Sequence, residues 1–246
     1  MNTIKGEEAT IEAMFKTMGG WTTQFEVNGT PVGGHINILT KDPRLIYHLQ
    51  VVGGAEGKRI LELGPLEGAH TKMMVEAGAK EVIAVEGNPD CFLRCLIVKE
   101  AFQLTNAKFL FGDFNLYVQN YTGEKFDFIS AAGVLYHQKN PAQLIHNMAE
   151  ITDCVIVWAQ VASNTQPSNI ESVVRAGGYI YRGKLNNYLG TRATSDVYCG
   201  GLNDDAFWMY PEDMRKCFRD AGFINIDEQG MGTTVHGDCL IFVASK

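Results

Sequence analysis

The sequence predicts a doubly wound α/β fold on a mostly parallel seven-stranded sheet, and three observations carry it. From Arg59 to Val161 short apolar strands alternate with helical segments. The strands, such as "EVIAVEG" and "CVIVWAQV", are apolar throughout, which suits burial on both faces of a parallel sheet flanked by helices. The last two, "FINIDEQG" and "DCLIFVAS", have no crossover helix between them, so the chain ends in an antiparallel pair at the sheet edge.

Taken in order, residues 5–18 read as an amphipathic helix, with Ile11, Met14, Phe15 and Met18 at helical spacing. The glycine-rich "GGWTTQFEVNGTPVGGH" follows as a loop or short hairpin outside the core, so residues 1–40 form an N-terminal helix and cap segment. The main domain spans 41–246 and starts with helix "DPRLIYHLQVV", where Asp42 is the N-cap and Pro43 the first helical residue. Strand "RILELG" leads into helix "GAHTKMMVEAG"; strands "EVIAVEG", "KFLFGD", "FDFISAAGV" and "CVIVWAQV" follow, each separated from the next by a helix. Residues 162–206 break this rhythm; polar, glycine-rich and rich in tyrosine, they read as an inserted lid. Helix "YPEDMRKCFRDAGF" resumes the fold, with Pro at its start and Gly at its end.

With 246 residues, 46% of them hydrophobic, the chain can bury one full core. Its apolar runs are only strand-length and its first residues are polar, so neither a membrane span nor a signal peptide is expected, and the expected location is the cytoplasm. A net charge of −7 disfavours a nucleic-acid partner, while a homodimer stays open. The six cysteines read as reduced thiols; Cys91 and Cys95 share a helix face, yet no second ligand pair accompanies them, so no metal is expected.

In a doubly wound sheet, ligands bind beyond the C-terminal ends of the strands. There, "LELGPLEG" sets Gly64 and Gly68 around a turn, with Glu62 just before it. A pyrophosphate would want bare backbone, but Leu66 fills the middle of the turn and Glu67 adds negative charge, which favours a cofactor without phosphates. "VEGN" puts Glu86, Gly87 and Asn88 at the second strand end, where a carboxylate can accept both ribose hydroxyl protons. "FGDF" puts Asp113 and Phe114 at the third, suited to an adenine amino group. Each acid alone reads as a solvated strand end; three in succession read as an adenosine site.

On these motifs the chain resembles the class I S-adenosylmethionine-dependent methyltransferases, which implies a Rossmann-like sheet and S-adenosylmethionine as cofactor. By that resemblance Gly64, Pro65 and Gly68 line its methionine and ribose end, and Glu62 reaches its amino group. Glu86 then takes the ribose hydroxyls, and Asp113 with Phe114 holds the adenine. "GVLYHQKNP" resembles a branch that includes the tRNA wobble-uridine carboxymethyltransferases, as do "WTTQFEVNG" and "DAFWMYPEDM". Tyr136 and His137 stand where an acceptor would sit; His137 reads either as a base or as a group orienting the next loop. Trp21, His35, Tyr179, Tyr181, Arg182, Tyr188, Phe207 and Trp208 are acceptor-side candidates, each with plain packing as the alternative. The expected activity is methyl transfer to an O or N atom of a small-molecule acceptor. The alternatives are a tRNA-modifying carboxymethyltransferase and a non-catalytic cofactor-binding partner subunit.

Overall fold

Thr10 Oγ1 accepts the Ala13 N–H at 3.2 Å and starts α1 (Ile11–Met14) in the computed structural model, which describes residues 8–163, 170–187, 202–234 and 237–246. This helix is shorter than the one predicted over 5–18, whose first residues, 5–7, lie outside the described ones. Past Met14 the backbone tightens to i, i+3 bonds, Lys16 N–H to Ala13 O and Thr17 N–H to Met14 O, and Gly19 and Gly20 then end it. The "VNGT" turn closes a hairpin of β1 (Gln24–Val27) and β2 (Thr30–Gly33), with Asn28 and Gly29 at φ of 50° and 77°. The hairpin is not outside the core: strand alternation turns Phe25 and Val27 inward, where they pack with Phe15 against Ala69, Cys95 and Val98.

The second helix, α2 (Pro43–Val51), starts as expected, Asp42 Oδ1 accepting the Arg44 N–H at 2.9 Å. Its His48 is buried with Nε2 3.1 Å from the Val157 carbonyl oxygen, and burial pushes the imidazole down to about 4. A neutral histidine thus pins α2 to the sheet.

Strands and helices then alternate: β3 (Arg59–Leu63), α3 (Ala69–Glu76), β4 (Glu81–Glu86), α4 (Pro89–Ala101), β5 (Ala107–Phe111), α5 (Phe114–Gln119), β6 (Phe128–Ala132), α6 (Pro141–Ile151) and β7 (Cys154–Gln160). The described part of the predicted lid is not irregular loop. It contains β8 (Ile170–Ala176) and β9 (Tyr179–Asn187), which join β10 (Asp205–Met209) in a separate antiparallel sheet. Gly177 and Gly178, at φ of 56° and 83°, make the tight turn between β8 and β9. Both faces of β8 carry polar residues, so no apolar alternation announced it.

After α7 (Pro211–Asp220), β11 (Asn225–Thr234) and β12 (Gly237–Ser245) complete the main sheet, whose order is β11-β12-β7-β6-β3-β4-β5. β12 runs antiparallel to both neighbours, β11 and β7, and the five strands from β7 to β5 are parallel. Strand order reverses between β3 and β6, which opens a crevice beyond their C-terminal ends. Among the described residues no helix is long and apolar enough to cross a membrane.

Candidate active site

A cavity of about 250 Å³ occupies that crevice. On its β3 side the chain turns through Gly64, at φ of 62°, where a Cβ would stand 2.9 Å from Val134 Cγ1. Glycine is therefore required by both conformation and space. Leu66 also holds a left-handed φ, 57°, and its N–H donates to Glu86 Oε2 at 3.1 Å. The other oxygen of Glu86 accepts the Asn88 N–H at 2.8 Å. Glu86 is buried, and burial raises its carboxyl against the lowering effect of these backbone donors. Glu62, at the end of β3, is also buried and hydrogen-bonded by Thr71 Oγ1; burial pushes its carboxyl up to about 7.

Asp113 caps α5, its Oδ1 accepting the Asn115 N–H at 2.8 Å and Asn115 Nδ2 at 2.9 Å. The same Nδ2 reaches Gln138 Oε1 at 2.9 Å, and Gln138 Nε2 donates to Val134 O at 2.9 Å. This chain of bonds links the end of β5 to the loop after β6, where Tyr136 and His137 lie with ring centroids 4.1 Å apart. The Tyr136 ring meets Trp158 and Trp208 edge-on, at 5.7 and 5.8 Å.

Nine of the eleven cofactor and catalytic candidates border this cavity: Glu62, Gly64, Pro65, Glu86, Gly87, Asp113, Phe114, Tyr136 and His137. Gly68 and Asn88 stand behind it. Gly68 starts α3 at φ of 80°, against Phe109 and Cys95, and Asn88 Oδ1 caps α4 by accepting the Cys91 N–H at 3.0 Å.

The acceptor-side candidates fall elsewhere. Trp21 Nε1 donates to Phe15 O and Met18 O, both at 3.0 Å, and its ring packs on Phe15 and Phe25. His35 is exposed beside the hairpin. Arg182 pairs with Asp213 at 3.0 Å, Tyr181 is buried with its hydroxyl on Asp220 at 2.9 Å, and Tyr179 is exposed next to Lys216. Phe207 and Trp208 are core residues, and Tyr188 lies outside the described residues. The second sheet absorbs Tyr181 and Phe207 in its own packing, and among the described candidates only Trp208 reaches the cavity wall, through Tyr136.

Several cavity residues had no motif to announce them. Arg44 and His70 both bond to Asp42, and Trp158 lies beneath Arg44. Thr23 enters the lining because Glu67, buried in the turn, accepts the Thr22 and Thr23 N–H groups at 2.9 and 2.6 Å. Glu67, itself part of the cavity lining, is thus a tether for the N-terminal segment. Leu202, after the inserted strands, lies against Gly87.

A family model described as "Methyltransferase domain" matches residues 44–228. The chain belongs to this methyltransferase family. That membership and the sheet order make it a class I S-adenosylmethionine-dependent methyltransferase, as its motifs led us to expect. Among curated relatives, the tRNA U34 carboxymethyltransferase of Pseudomonas fluorescens (strain Pf0-1) is 31% identical over 141 residues, 57% of this chain and 42% of that protein. That of Stutzerimonas stutzeri (strain A1501) is 28% identical over 158 residues, 64% of this chain and 47% of that protein. The methyltransferase thus spans less than half the length of these relatives. Among solved structures, the N-terminal domain of EvdMO1 with SAH bound superposes with a TM-score of 0.74 at 22% identity, over 96% of this chain and 95% of that one. Magnesium protoporphyrin IX methyltransferase from Synechocystis PCC 6803 does so with a TM-score of 0.52 at 20% identity, over 87% and 89%. At such identities the likeness is one of fold.

Proposed function

We propose that the chain transfers a methyl group from S-adenosylmethionine to an oxygen or nitrogen atom of a small molecule. The observation that carries this reading is a single cavity bordered by Glu62, Glu86 and Asp113, from three successive strand ends, and by Tyr136 and His137 from the fourth. The donor set fits the cofactor. Glu86 offers acceptors for two ribose hydroxyls, Asp113 for an adenine amino group and Glu62 for an α-ammonium, while the glycine backbone at residue 64 leaves space that a Cβ would close.

When bound, S-adenosylmethionine supplies a methyl group on a sulfonium sulfur, open to in-line displacement. The chain's own part is alignment and exclusion of water. Tyr136, braced by Trp158 and Trp208, walls the acceptor side. His137, beside it, takes the proton that an oxygen or nitrogen acceptor gives up near neutral pH.

The names of the curated relatives support a second reading, carboxymethyl transfer to a tRNA uridine. A net charge of −7 favours the small acceptor over a polyanion. Thermal unfolding with S-adenosylhomocysteine tests the shared part: at a hundredfold excess over Kd, Tm should rise by about 5–10 °C. Methyl transfer to a small-molecule panel, with none to tRNA, supports the first reading. Salt-dependent tRNA binding with modification of its uridine would replace it by the second.

A further inference from the structure

The second sheet ends in an open edge. In the order β10-β9-β8, strand β8 (Ile170–Ala176) has β9 on one side and, among the described residues, no strand on the other. The two-residue turn at Gly177 and Gly178 makes Ala176 and Tyr179 a hydrogen-bonded pair, and alternation from there turns the N–H and C=O groups of Ala176, Val174, Ser172 and Ile170 toward β9. Those of Glu171, Val173 and Arg175 therefore point away from it. The Arg175 carbonyl shows this directly, since it accepts Asn140 Nδ2 at 3.0 Å in place of a β9 amide. A row of outward backbone groups is a template for another strand.

The side chains of these three residues fit a second copy of the same strand. Glu171 and Arg175 carry opposite charges two positions either side of Val173, and all three share one face of the sheet. Glu171 is bonded to the Tyr210 hydroxyl and lies 3.9 Å from Lys184 Nζ, with its side chain still 65% exposed; Arg175 is exposed as well. Laid antiparallel on its own copy with Val173 at the two-fold axis, β8 sets Glu171 opposite Arg175 of that copy, and Arg175 opposite its Glu171, at hydrogen-bonded positions. The same register sets Val173, 46% exposed, against its twin and Ile170, 71% exposed, against Ala176. Centring the pair on Glu171 or on Arg175 would oppose like charges, so charge selects one register. The Asn140 bond leaves the Arg175 carbonyl a second lone pair for an incoming amide.

We infer that β8 is a self-association edge: two copies of this chain pair through it, antiparallel about Val173, and join their three-stranded sheets into one of six strands. A strand of seven residues buries little surface, so the dimer forms and dissociates with concentration and is not an obligate unit. No β8 residue lines the cofactor cavity, so the pairing can be altered without touching that site.

Sedimentation velocity on the full chain, from about 5 to about 200 µM, tests this. Wild type should move from monomer toward dimer across that range. Glu171→Lys makes the edge wholly positive and Arg175→Glu makes it wholly negative; each alone should stay monomeric, and mixing the two in equal amounts should restore the dimer, because opposite charges face each other again. Val173→Pro removes the central outward N–H without breaking a bond to β9 and should also abolish the dimer. Near-UV circular dichroism matching wild type shows that each variant is folded. Monomeric wild type at the highest concentration would leave the edge to a strand of another protein or to none. A dimer that survives all three substitutions would place the contact elsewhere, and folded variants that stay monomeric on mixing would break the charge pairing. Each of these outcomes overturns the inference.

Discussion

Leu66 donates its N–H to Glu86 Oε2 at 3.1 Å while holding a left-handed φ of 57°. The residue that replaces the expected middle glycine has kept glycine's backbone conformation, at a cost of about 1 kcal/mol for its Cβ. Leu66→Gly should therefore preserve the bond to Glu86 and leave cofactor affinity, measured by calorimetry, within about 1 kcal/mol of wild type. A tenfold loss would mean that the leucine side chain, half-buried in the cavity wall, itself holds the ligand.

Gly68 stands behind the cavity, so its importance is conformational. At φ of 80°, with a Cβ 3.3 Å from Phe109 Cζ and 3.7 Å from Cys95 Sγ, an aspartate would be strained and its carboxylate set among apolar groups. Gly68→Asp should abolish cofactor binding and lower Tm by several degrees. Gly68→Ala brings the strain alone and should cost about 1–2 kcal/mol of stability while still binding. Loss of binding in Gly68→Ala at unchanged Tm would place the glycine in direct contact with the ligand.

The contrast between these turn residues and the second sheet explains what was legible. Glu62, Glu86 and Asp113 were readable because strand ends in a parallel sheet converge on one crevice, so spacing in sequence becomes proximity in space. Tyr181 and Phe207 were misplaced because an aromatic in an unpatterned segment looks the same whether it faces a ligand or its own sheet; here both are fully buried. Arg44 lies eighteen residues before Glu62, outside the strand-end logic of the central motifs: the helix start at Asp42 was visible, but only the fold sets that helix over Trp158. Glu67 was legible as a charge but not as a tether, since its partners Thr22 and Thr23 belong to a segment with no strong pattern of its own.

That tether is testable. Glu67→Ala leaves two N–H groups, at Thr22 and Thr23, without their acceptor, each worth about 1–3 kcal/mol if it stays buried. Hydrogen exchange should show amides 22–27 losing protection first, with a smaller effect in Glu67→Gln, which retains one carbonyl oxygen. Identical exchange at these amides in wild type and both variants would remove Glu67 from that role.

Glu62 gives a pH dependence with a definite sign. Its carboxyl is raised from 4.5 to about 7, first by burial and then by the nearby Glu86, against the lowering effects of His70 and Thr71. The native state therefore holds a proton that the unfolded chain releases, so stability of the ligand-free protein falls as pH rises from 4.5 to 7 and levels off above. The total is at most about 3 kcal/mol, and Glu62→Gln should flatten this slope in urea unfolding curves. An α-ammonium beside Glu62 favours its ionised form, so cofactor binding at pH 6 should expel a proton and tighten as pH approaches 7. Calorimetry at pH 6 in two buffers of different ionisation enthalpy reads that proton directly. Wild type should release a substantial fraction of one proton and Glu62→Gln almost none; equal release from both would assign the ammonium to another partner.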